Sequence, residues 1–135
     1  MILIVFLLGL SFNVLAPVSG LMTIESSEAL NPYLSLFNAV CAVETGGRVL
    51  INHSEGAYGI AQITQAKLDD FNRVKGKRYT LNDCLRVEVS KEVFFWHMNG
   101  YKDIDLSIRR WNGSGVKTYE YLKKVKKVIN HGKVH

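Results

Sequence analysis

Glu44, Gln62, Asn112 and Tyr121 are the residues of this 135-residue sequence whose types and neighbours suit chemistry. Glu44 closes an apolar series of Tyr33, Phe37 and Val40 at helical spacing, and Gly46-Gly47 follow at once. A carboxyl group on the core-facing side of a helix's last turn is disfavoured as an anion twice. The negative end of the helix dipole opposes its charge, and desolvation raises its pKa. An acid kept protonated near neutrality can hand a proton to a leaving oxygen, the step that glycosidic bond cleavage requires. Judged by helix position alone, the commoner outcome is a Glu that swings into water and does nothing.

Three further motifs lie downstream. Gly56-Ala57-Tyr58-Gly59-Ile60-Ala61-Gln62-Ile63 is a glycine loop, and Gly56 and Gly59 would let backbone come close to a ligand. Arg110-Trp111-Asn112-Gly113 reads as a turn, and Tyr119-Glu120-Tyr121-Leu122-Lys123-Lys124-Val125 as part of a basic amphipathic helix. Tyr58 and Trp111 could stack on sugar faces, although filling the core is the default for Trp111. Singly, Gln62 and Asn112 read as loop or cap hydrogen bonders and Tyr121 as core.

Taken in order from Glu44-Thr45-Gly46, the series resembles the lytic transglycosylases of the soluble-transglycosylase (SLT) type, in the lysozyme superfamily, over about Tyr33 to Val128. The resemblance implies a mainly α, lysozyme-like (goose-type/SLT) helical domain with little or no β-sheet. It implies Glu44 as catalytic acid and then base, and Gln62 lining a saccharide cleft with Tyr58 and Gly59. Asn112 would sit near the substrate N-acetyl group, and Tyr121 would pack beside Glu44. The implied reaction cuts the MurNAc-GlcNAc β-1,4 bond of peptidoglycan and closes a 1,6-anhydro ring, with no metal and no organic cofactor. Ile60-Ala61 stands where the family has Leu-Met, Thr64 where a Pro is usual, and Asp83-Cys84 where an Asp-Pro turn is typical.

Positioning these groups calls for helices. Asn31-Pro32 predicts an N-cap and first helical residue, with the helix running to about Glu44. Residues 48–62 read as loop, with Val49-Leu50-Ile51 as a short extended piece. Thr64 would cap a second helix of about Gln65 to Lys75, turning Leu68, Phe71 and Val74 or the Lys75 stem inward. A third is expected from about Asp83 to Met98, with Leu85, Val89, Val93 and Trp96 on one side. A fourth, capped by Asp103 or Asp105, would bury Ile104, Ile108 and Trp111, and a last spans about Lys117 to Ile129. Five helices and no convincing strand argue for an α-rich domain. The expected organisation is 1–20 signal peptide or N-terminal anchor, 21–32 lead, 33–130 catalytic domain and 131–135 tail.

The apolar run Met1 to Ala16 is short for a span of roughly 20 residues and suits a signal peptide, except that no Lys or Arg precedes it. The domain is therefore expected in the periplasm, cell envelope or outside, with any membrane contact through that segment alone. Peptidoglycan strands are the expected partner, with an envelope-spanning assembly as a further one. The net charge of +5, from 17 Lys and Arg against 12 Asp and Glu, favours polyanions generally. A nucleic-acid binder would leave the export signal unexplained. Cys41 falls on an apolar stripe and reads as a buried thiol, although an exported chain allows a Cys41–Cys84 disulfide. His53, His97, His131 and His135 share no ligand spacing. Two alternatives remain open: a goose-lysozyme-like hydrolase, of phage origin or not, using Glu55 as a second carboxylate or a water held by Ser54 and Thr64, and a non-catalytic glycan-binding module.

Overall fold

The computed structural model describes residues 31–132. The predicted signal or anchor (1–20), residues 21–30 of the lead and residues 133–135 of the tail lie outside them. The first helix, α1 (Leu34–Thr45), starts later than the Asn-Pro pair suggests. The Asn31 side chain accepts from the Tyr33 N–H at 2.9 Å, so Asn31 and Pro32 form the entry turn and Tyr33 is the cap residue. Gly46, at φ 63°, ends the helix in the left-handed conformation that glycine adopts without a Cβ clash.

The stretch read as loop carries a small antiparallel sheet. Its strands are β1 (Ile51–Asn52), β2 (Ala57–Tyr58) and β3 (Ile63–Thr64), in the order β1-β2-β3. Ile51 pairs with Tyr58 and Ala57 with Thr64. Strands of two residues are too short to show alternation, so the sequence carried no period to detect. The extended piece accordingly begins at Ile51, not Val49.

Helix α2 (Gln65–Lys75) follows directly and ends at Gly76. Leu68 and Phe71 are buried, but Val74 and Lys75 are exposed, contrary to the expected stripe. The third helix does not begin at Asp83. Thr80 and Asp83 form a reciprocal capping box around a 3-10 turn, Leu81–Leu85, and α3 runs Val87–Asn99. Leu85 therefore lies outside the helix whose face it was expected to share with Val89 and Val93. Helix α4 (Ile104–Asn112) is capped by Asp103, whose Oδ1 accepts from the Asp105 and Leu106 N–H groups. Its first residue, Ile104, is exposed at 53%, so the buried stripe reduces to Ile108 and Trp111. Helix α5 (Lys117–His131) packs against both α1 and α4.

The described residues are thus mainly helical. Their core joins Phe37, Phe94 and Trp111, with the Phe94 and Trp111 rings edge-to-face at 5.0 Å. Cys41 and Cys84 are both free and buried, and burial pushes their thiols up to about 12 and about 11. Gly59 is the tightest backbone approach. It has φ 84°, and a Cβ placed there would lie 2.0 Å from the Cys84 carbonyl oxygen. Gly59→Ala therefore combines backbone strain with a backbone clash and should cost about 2–4 kcal/mol, read as a lowered denaturant midpoint.

Candidate functional site

Glu44 occupies the last turn of α1, half-buried, where α1 faces α5. The Tyr121 hydroxyl on α5 donates to Glu44 Oε1 at 2.7 Å across 77 residues of sequence. The adjacent Thr45 is buried, and its hydroxyl contacts two carbonyls, Cys41 at 3.0 Å and Ile60 at 2.9 Å. Thr45 thereby ties the helix end to the glycine loop. Sequence reasoning gave it no role, although it holds the middle position of Glu44-Thr45-Gly46.

Burial holds the Glu44 carboxyl above the ordinary carboxylate range, and the charge of Glu55 adds to the rise. The Tyr121 hydrogen bond and the Lys67 ammonium act in the opposite direction by favouring the anion. Lys67 itself is held below the usual lysine range by burial, with the attraction of Glu44 opposing. Burial likewise raises the Tyr121 phenol above its usual range, and the charge of Glu44 adds to the rise.

A cleft of about 410 Å³ opens at Glu44, with Asn112, Tyr121, Glu55, Lys117 and Lys124 on its walls. It brings together Glu44, Asn112 and Tyr121 from α1, α4 and α5. The remaining sequence candidates sit elsewhere. Gln62 is only 7% exposed, and its Nε2 donates to the carbonyls of Gly59 at 2.9 Å and Leu50 at 3.3 Å. It adopts φ 55°, a left-handed backbone rare for a residue with a side chain. Gly59 is buried against Cys84, with its N–H on the Leu50 carbonyl at 2.9 Å. Tyr58 is half-buried and packs on the core. Trp111 is buried, and its Nε1 donates to the Ala61 carbonyl at 3.2 Å. The loop residues therefore fix the shape of the backbone beside Glu44.

Glu55 lies in the turn between β1 and β2, exposed, and accepts from Asn52 Nδ2 at 3.1 Å. Among the described residues, no group of three or more His, Cys, Asp or Glu side chains is arranged to hold a metal ion. His97 instead donates through Nε2 to the Ser107 carbonyl at 3.1 Å. No protein-family model, curated protein or solved structure matches the chain.

What the arrangement can do is hold one proton in a defined place beside a solvent-open cleft. Tyr121→Phe removes a donor that favours the anion, so the Glu44 carboxyl should titrate at still higher pH in a carbon-13 carboxyl titration. The sign for stability follows from the same shift. A carboxyl raised in the folded state stabilises fully at pH below its ordinary range, and this contribution is lost as pH rises through the raised value. Glu44→Gln should therefore melt above the wild type at neutral pH, with the gap closing in acid.

Proposed function

We propose that the chain is an exported peptidoglycan lytic transglycosylase with a lysozyme-like domain, cleaving the MurNAc-GlcNAc β-1,4 bond with Glu44 as acid and then base. The observation that carries this reading is the half-buried Glu44 carboxyl, hydrogen-bonded to Tyr121 and walled by Asn112 in one cleft. The order of motifs from Glu44 to Tyr121 supports it from the sequence side. The mainly helical architecture with a very small sheet suits a lysozyme-like fold.

In this mechanism protonated Glu44 gives its proton to the O4 leaving oxygen of the GlcNAc unit as the C1–O4 bond breaks. The carbonyl of the muramic N-acetyl group stabilises the positive charge at C1. The Glu44 carboxylate then takes the proton of the C6 hydroxyl while O6 attacks C1, closing the 1,6-anhydro ring and restoring the acid. No water is consumed. One group can serve both steps when its affinity for the proton is neither very high nor very low. Burial raises the Glu44 carboxyl while Tyr121 and Lys67 oppose the rise, which supports that reading. Lys117 and Lys124 on the cleft wall favour an anionic polymer, and an envelope-spanning assembly is the setting in which such a chain would act.

A second reading has one observation in its favour. Glu55 shares the cleft with Glu44, and hydrolytic glycosidases use two carboxyl groups. It would make the chain a goose-lysozyme-like hydrolase. The turn placing Glu55 is solvent-exposed, whereas a positioned base needs a fixed geometry, so the single-carboxyl mechanism is preferred.

Purified sacculi test the proposal. The wild-type chain should release muropeptides ending in anhydro rings, identified by mass, and Glu44→Gln should slow release by about 10²–10⁴-fold. A chain that binds sacculi but releases nothing in either form would instead be a glycan-binding module.

A further inference from the structure

Beyond the Glu44 cleft lies a second, larger one of about 680 Å³, between α2, α3 and the end of α4. The two are joined by a single turn. Asn112 walls the first, while its neighbours Trp111 and Gly113 wall the second. Half-buried Trp96 and Tyr101 supply aromatic surface there, of the sort that packs on sugar rings.

The charges in this pocket are unbalanced. Lys67 places its Nζ 4.6 Å from the centre of the Trp111 ring. Among the described residues it makes no hydrogen bond or ion pair, although it is half-buried. Arg110 adds a second cation to the lining. The pocket's one acid, Asp70, is already paired with Arg73 at 2.9 Å. An unpaired ammonium held over an indole is poorly solvated and gains most from an anion that arrives with the ligand.

We propose that Lys67 is a specificity-determining residue that takes the free lactyl carboxylate of a muramic acid unit seated in the aromatic pocket beyond Trp111. This rests on the peptidoglycan reading above. It selects strands whose lactyl groups are bare carboxylates over strands in which that carboxyl is tied up as a peptide amide or is missing altogether.

Binding is measured on full-length Glu44→Gln, which holds substrate without cutting it. Three glycans of equal length are compared: an N-acetylglucosamine oligomer, an alternating strand with free lactyl carboxylates, and the same strand with those groups amidated. The acidic strand should bind about tenfold tighter than either other. Adding Lys67→Met, which keeps the stem over Trp111, should remove that preference and leave the neutral oligomer's affinity unchanged. Lys67→Arg should retain it. Equal binding of all three glycans with Lys67 in place overturns the proposal, as does a preference that survives Lys67→Met, or a loss with Lys67→Met that is equal for acidic and neutral strands. Wild-type digestion of sacculi separates the two levels. Cutting without the acidic preference sinks the Lys67 assignment alone, whereas no cutting sinks the peptidoglycan reading with it.

Discussion

The hydrogen bond from Tyr121 to Glu44 is the constraint on which the site depends. It fixes a carboxyl group where burial resists its ionisation, and at 2.7 Å it stabilises the anion once that forms. The two effects oppose each other, and burial is the larger, so the carboxyl stays above its ordinary range. They also join the start and end of the domain, because α1 carries the acid and α5 the phenol. Without that link the last turn of α1, which stops at Gly46, would have no reason to hold its carboxyl group inward.

Everything around Glu44 limits motion of the same few atoms. Thr45 fastens the helix end to the Ile60 carbonyl, Gln62 closes the loop on itself through Leu50 and Gly59, and Trp111 secures the Ala61 carbonyl from the opposite side. Of three successive loop residues, Ile60 and Ala61 are thus held from α1 and α4, and Gln62 from within the loop. Such a support holds the Glu44 carboxyl to the kind of narrow geometric tolerance that proton transfer demands. Gly59 belongs to this frame because only a residue without a side chain fits against Cys84.

The helices were legible wherever an apolar period of 3.6 ran beside a cap or a glycine stop. That combination located α2 from Gln65 to Lys75 and put Tyr121 and Val125 on the buried face of α5. Errors gathered at boundaries. The Thr80–Asp83 capping box builds a 3-10 turn where a continuous helix was expected, and Ile104 is exposed because it opens its helix at the surface. In the site, Glu44, Asn112 and Tyr121 converge as their order along the chain suggested. Gln62 and Gly59 were read as facing a ligand, and the structure places both inward on backbone carbonyls. Spacing alone does not show that these two residues support the backbone beside Glu44. Lys67 went unnoticed because a lysine on a helix face ordinarily reads as solvated, and only the packing of Trp111 beneath it shows otherwise.

The central claim is that one carboxyl group does the work of two, with the substrate's own hydroxyl as the attacking group. Digestion of sacculi by Glu55→Gln in water enriched with heavy oxygen addresses it directly. The account predicts that cutting persists near the wild-type rate and that the new ends carry no oxygen from solvent. Loss of cutting in this variant, together with solvent oxygen in the ends made by the wild type, would contradict it.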